Sequence, residues 1–227
     1  MLSKKMMTNY ITIEELAGFI AEMLCDALLR IAKCTINVHE YGSVYDFSGI
    51  DIAYTRRHIS EYCDVKGSLL YSSTCSIQSK HNFFNNKHHH FFALCFKCSS
   101  KVYFVNSNAL WTKILKTRRS KKADNGKRYY VVSEDDVLKL QKNVEYWTLN
   151  IVDNKRNRLT FEKFANMHFD MKKECNVLNS FKEYHYIIEM NGIRYIKKMT
   201  IKQQQAKYIN HHIRGICMKI VNDDVPE

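Results

Sequence analysis

The stretch "GIDIAYTRRHISEYCDVKGS", residues 49–68, decides the reading of this chain. Two alternating segments, 49–54 and 61–66, flank the short polar "TRRHIS", and such alternation marks half-buried strands. The spacer is short enough for them to pair as an antiparallel hairpin. Alternation puts Ile50 and Ile52 on one face of the first strand, with Asp51 pointing away from them. In the second it puts Asp64 and Lys66 on one face, Cys63 and Val65 on the other. Strand interiors disfavour aspartate, so two of them beside a lysine need a reason. One reason is a simple cross-strand ion pair on a surface hairpin. The other is chemical: two carboxylates and an ammonium on one side of a hairpin form a layout that holds Mg²⁺.

Working outward, Thr12 and Glu15 make a capping box, and Leu16, Phe19, Ile20, Met23, Leu24, Ala27, Leu28 and Ile31 recur at helical spacing. They predict a helix over 12–33. Further strands are expected at 35–39, 91–96 and 101–106. Ser133 and Thr160 open short helices, and "YHYIIEM" and "IRYIKKM" flank Asn191-Gly192, the preferred two-residue hairpin turn. Thr200 starts a last helix with Gly215 past its end. This order predicts a mixed α/β (α+β) protein with no obvious linker.

With 227 residues, 45% of them hydrophobic, the chain can bury a sizeable core. No apolar run approaches the roughly 20 residues that span a bilayer. Glu14, Glu15 and Glu22 interrupt the N-terminal stretch, against a secretory signal. A cytoplasmic protein with no membrane association is expected, and eight scattered cysteines suit it as free thiols. "CFKC" at Cys95–Cys98 follows His88, His89 and His90, but residues three apart on a strand point to opposite faces, against a zinc site. The net charge of +12 is uneven. Residues 1–100 hold 10 Lys/Arg and 9 Asp/Glu, whereas residues 101–227 hold 25 and 14. So basic a second half suggests a polyanionic partner, set against the plainer reading of a solvated basic surface.

Mg²⁺ is a hard ion that takes oxygen ligands, typically one or two carboxylates with waters and substrate phosphate. Asp51 and Asp64 are the candidate metal ligands, with the Val65 backbone carbonyl as a further one. Lys66 is placed to orient an attacking water and stabilise the transition state. An aspartate, a hairpin spacer, then Asp-x-Lys resembles the signature of the PD-(D/E)XK nuclease superfamily, whose restriction-endonuclease-like core is a mixed central sheet flanked by helices. Asp51 matches the first acid, Asp64 the second, and Lys66 the lysine of "DVK"; Ile50 stands where a proline is usual. The resemblance covers residues 12–106. A rival register takes Gln78 and Lys80 instead, and Glu22 is a candidate extra acid from the first helix, although it lies on that helix's polar face. Asp46 and Glu61 are ambiguous.

The resemblance implies a Mg²⁺- or Mn²⁺-dependent endonuclease acting on double-stranded DNA, of restriction type, working as a homodimer. Residues 1–130 would form the nuclease core, and 131–227 a basic α+β region for grip, recognition or dimerisation. Candidate nucleic-acid contacts are Arg118, Arg119, Lys121 and Lys122 in the basic run, then Arg194, Lys197, Lys198 and Arg214. Two other readings stay open: a non-catalytic nucleic-acid-binding protein, and an RNA-directed nuclease.

Overall fold

The computed structural model describes residues 11–38, 50–70, 74–78, 89–123, 126–153 and 155–222. Helix α1 (Ile13–Ile31) starts at the expected capping box, with Thr12 Oγ1 accepting the Glu15 N–H and the Glu15 carboxylate accepting the Thr12 N–H. The strands that follow among the described residues are β1 (Thr35–Val38), β2 (Ile52–Arg56), β3 (Ile59–Gly67), β4 (Thr74–Gln78), β5 (His90–Cys95), β6 (Lys101–Asn106), β7 (Lys121–Lys122), β8 (Arg128–Ser133), β9 (Tyr146–Asn150), β10 (Tyr184–Met190) and β11 (Ile193–Met199). The later helices are α2 (Ser107–Lys113), α3 (Glu134–Leu138), α4 (Phe161–His168), α5 (Met171–Ser180), α6 (Ile201–Tyr208) and α7 (Arg214–Asn222).

The main sheet has the order β1-β2-β3-β5-β6-β9 and is mixed. All neighbours are antiparallel except β3 and β5, which run parallel with Val65 opposite Ala93. Parallel neighbours need a crossover, and here it contains β4. That strand leaves the main sheet and joins a second, three-stranded sheet ordered β4-β8-β7. The hairpin β10–β11 stands as a third, two-stranded sheet.

Strand alternation divides the core in two. On one face Ile52, Tyr54, Cys63, Val65, Ala93 and Phe104 pack with Leu16, Ile20 and Leu24 of α1, and with Phe161, Phe164, Leu178 and Cys217 from the C-terminal helices. On the other, Phe92, Leu94, Tyr103 and Val105 pack with Cys75 and Ile77 of β4, Val132 of β8, and Leu110 and Val137 of α2 and α3. Gly67 lets α1 cross close to β3. A Cβ there would stand 2.5 Å from Ala21 Cβ and 3.0 Å from the Ala17 carbonyl oxygen.

The mixed α/β class matches the sequence reading, with several local differences. The first hairpin strand is β2, so Asp51 sits in a bend just before it instead of within it. The connecting turn shrinks to Arg57 and His58, both left-handed at φ 50° and 65°. The last helix does not stop at Gly215: α6 passes through a π-helical turn (Ile209–Ile213) into α7. Helix α5 has no counterpart in the sequence reading. The division at residue 130 falls inside β8; β9 completes the main sheet and the C-terminal helices share the α1 core, so the two halves are built together. Among the described residues no helix is long and apolar enough to cross a membrane.

Candidate metal centre

The β2–β3 register pairs Ile52 with Cys63 and Arg56 with Ile59. Carried one residue beyond the end of β2, the same register sets Asp51 opposite Asp64. The Asp51 N–H donates to the Cys63 carbonyl at 2.9 Å, which holds the bend against β3. Its carboxylate turns back and Oδ2 accepts the Val65 N–H at 2.6 Å. That N–H has lost its strand partner because β2 has ended. Backbone groups of Tyr62 and Ser68 point to the β5 side, donating to His89 and Cys95 carbonyls. By alternation those of Cys63 and Val65 point to the β2 side. The Val65 carbonyl therefore faces the same strand end as Asp51.

Asp64 and Lys66 share the other face of β3, as alternation predicts, and form a direct ion pair between Nζ and Oδ1. Asp64 is 1% exposed, while the lysine side chain keeps 29% of its surface. Burial alone would lower the Lys66 pKa, but the charges of Asp64 and Asp51 overcome this and raise it. Asp51 behaves oppositely to a satisfied surface ion pair. Burial, then the neighbouring Asp64 charge, push its carboxyl up to about 7, against the pull of Lys66 and the Val65 N–H. Two enclosed carboxylates share one ammonium, and the deficit of positive charge falls on Asp51.

Glu22 belongs to this neighbourhood despite its place on the polar stripe of α1. It is half-buried, and its charge raises the pKa of Lys66, Cys25 and Cys63. The helix is covered over a wide arc by the sheet and by α5 and α7, which leaves little of it polar. The rival Gln78 is exposed on β4, opposite Tyr129, while its neighbours Cys75 and Ile77 turn inward. Alternation points it away from Asp51; Lys80 and Asp46 lie outside the described residues. Glu61 is held by Arg56 through two hydrogen bonds of 2.8 and 3.0 Å. A feature the sequence did not signal is Cys75, whose thiol meets the Lys66 and Cys95 carbonyls at 3.6 Å and lays β4 over β3.

The donor set suits a hard ion. Two carboxylates meet at the end of β2, on the strand edge that the Val65 carbonyl faces, and oxygen donors of this kind are what Mg²⁺ takes. No group of three or more His, Cys, Asp or Glu that would hold a metal occurs among the described residues. Cys95 is buried in β5 and Cys98 is exposed, and all eight cysteines are free thiols.

The candidate nucleic-acid contacts divide into engaged and open groups. The Arg118 guanidinium clamps Asp136, with one hydrogen bond of 2.7 Å, and donates to the Val131 carbonyl at 2.9 Å. Burial would raise the Asp136 carboxyl, yet the Arg118 bonds and the helix cap hold it well below the usual carboxylate range. Arg214 reaches the buried Asp26 at 2.9 Å, alongside Arg30 at 3.0 Å. Arg118 and Arg214 are thus engaged in ion pairs within the fold, while their side chains keep 37% and 29% of their surface in solvent. Lys198 is paired with Glu183. Lys121, Lys122 and Arg128 are exposed on β7 and β8. Because β4 packs on the face that carries Asp64 and Lys66, β7 stands on that same side, two strand spacings (about 10 Å) from β4.

No protein-family model, no curated protein and no solved structure matches the chain.

Proposed function

We propose that the chain is a Mg²⁺-dependent endonuclease hydrolysing phosphodiester bonds in double-stranded DNA, a cytoplasmic enzyme of the restriction or defence kind. The observation that carries this reading is the meeting of Asp51 and Asp64 at the end of β2, with Lys66 ion-paired beside them and Asp51 raised to about 7. The PD-(D/E)XK resemblance supplies the reaction, and the mixed sheet flanked by helices is compatible with that core.

Asp51 and Asp64 would hold the ion, with the Val65 carbonyl as a backbone ligand. Bound there, Mg²⁺ would neutralise charge on the scissile phosphate and ease deprotonation of the attacking water. The Lys66 ammonium, kept charged by its two aspartates, orients that water by hydrogen bonding and offsets charge on the phosphoryl oxygens as they develop it. Lys121, Lys122 and Arg128 on the neighbouring small sheet would grip the backbone on the same side.

Plasmid DNA and a folded RNA, each incubated with the protein in Mg²⁺, in Ca²⁺ and in EDTA, test this reading. Cleavage of DNA in Mg²⁺, binding with little cleavage in Ca²⁺, and none in EDTA are expected. Cleavage that persists in EDTA excludes the mechanism, and cleavage of RNA alone moves the substrate class.

A further inference from the structure

Among the described residues no layer packs behind the hairpin β10–β11. Residues 182–198 are all exposed apart from the half-buried Ile188. Its turn, Asn191-Gly192, takes left-handed φ values of 53° and 75°, so the ribbon closes tightly and in full register. The register places most of the charged side chains on one face. One face carries Tyr184, Tyr186, Met190, Ile193 and Tyr195, and its one charge is Lys197, opposite Tyr186. The five named side chains keep between 36% and 56% of their surface in solvent. The other face carries the charged or titratable His185, Glu189, Arg194 and Lys198 around the cross-strand pair Ile187–Ile196, which is 65% and 73% exposed.

We infer that the tyrosine-rich face of this hairpin is a self-association surface that meets the same face of a second copy of the chain across a two-fold axis. Charge selects this occupant. The chain carries +12, so two copies repel unless they meet where charge is scarce, and this face is such a place. A nucleic acid would call for cations on the presented face. Here Lys198 is paired with Glu183, and Arg194 stands opposite Glu189, both on the other side. The area fits as well. Aromatic side chains span about 150–250 Å² and a methionine or isoleucine somewhat less, so three tyrosines, Met190 and Ile193, each about half exposed, offer on the order of 500 Å². That equals the largest apolar patch of an ordinary monomer, and two of them bury about 1,000 Å², the lower bound for a specific contact. Lone two-stranded ribbons are marginal in water, and a partner ribbon supplies the missing layer. A two-fold contact needs only that one face complement itself, which an apolar, nearly uncharged face does. None of this depends on the nuclease reading.

Sedimentation velocity of the full chain across the micromolar range tests it. A reversible monomer–dimer equilibrium is expected, and the double variant Tyr186→Glu/Ile193→Glu should raise the dissociation constant by more than about tenfold. Ile187→Glu, on the opposite face, should leave the dimer intact, and all variants should keep wild-type circular dichroism because the replaced side chains are exposed. A wild type monomeric throughout, or a double variant that dimerises unchanged, would overturn the inference. So would loss of DNA binding in the double variant with no change in oligomeric state, since that makes the hairpin a nucleic-acid surface. Failure to cleave any substrate would sink the nuclease reading and leave this one standing.

Discussion

At Asp51 two demands oppose each other: the fold needs its carboxylate to accept the Val65 N–H, and the neighbouring Asp64 resists a second negative charge. The folded-state carboxyl is raised to about 7, above its unfolded value near 4. Between those values the folded protein binds more protons than the unfolded chain. Stability attributable to this group therefore falls as pH rises from about 4 to about 7, then stays flat, by at most a few kcal/mol. Asp51→Asn removes the titration, so the difference in unfolding free energy between variant and wild type should grow in the variant's favour over that window. Excess Mg²⁺ at pH 8 should stabilise the wild type, by about 2.7 kcal/mol at a hundredfold excess over Kd, and should not stabilise the variant. Urea titrations at several pH values, with and without Mg²⁺, measure both. Asp51, Asp64 and Lys66 are legible in the sequence because strand alternation is local. That Arg118 and Arg214 are held by Asp136 and Asp26 is not, since those partners lie far along the chain or across the core. Glu22 is named by the sequence as a candidate acid but set on the polar face of its helix, whereas it is half-buried; helical periodicity identifies the apolar stripe but not which further helices will cover its flanks.

At the scale of elements, β3 is fixed by what lies on each side of it. Gly67 admits α1, and Cys75 anchors β4 to the Lys66 carbonyl. Gly67→Ala would press a methyl against Ala21 Cβ and the Ala17 carbonyl, of which the second is backbone and cannot turn aside. Overpacking of this kind costs about 1–3 kcal/mol. Thermal unfolding should show it as a drop of roughly 2–4 °C per kcal/mol for a chain of this size; an unchanged midpoint would mean that α1 does not sit as described. The hairpin β2–β3, α1 and β10–β11 are readable because capping residues, alternation and Asn-Gly are all short-range signals. Other features are not. Arg57 and His58 adopt left-handed backbone without glycine, held by the strands they join, and β9 enters the main sheet through a long-range pairing with β6. Gly215 resembles a helix end, yet the chain stays helical because Ile213 and Cys217 are both buried in the core.

Across the whole molecule, the positive charge divides into a part that holds the fold and a part open to solvent. Lys121, Lys122 and Arg128 are exposed, with Arg119 nearby in the same basic run, on the side of the sheet that carries Asp64 and Lys66. Replacing these four by alanine should weaken duplex binding and flatten the slope of log K against log salt by about 0.9 for each phosphate no longer neutralised. Arg118→Ala should instead lower stability by about 1–3 kcal/mol, because it strips the buried Asp136 of its partner. Fluorescence anisotropy over a salt series separates the two effects, and an unchanged slope in the quadruple variant would make these four side chains a solvated surface with no part in binding.

The most direct measurement of the site compares DNA cleavage rates in Mg²⁺ for the wild type, Asp51→Asn, Asp64→Asn and Lys66→Met, each shown by circular dichroism to be folded. If the two aspartates hold the ion and the lysine steadies the developing charge, every variant cleaves at least about 10²-fold more slowly while binding DNA as before. Cleavage at the wild-type rate by all three would contradict the assignment and leave Asp51, Asp64 and Lys66 a buried ion-pair cluster.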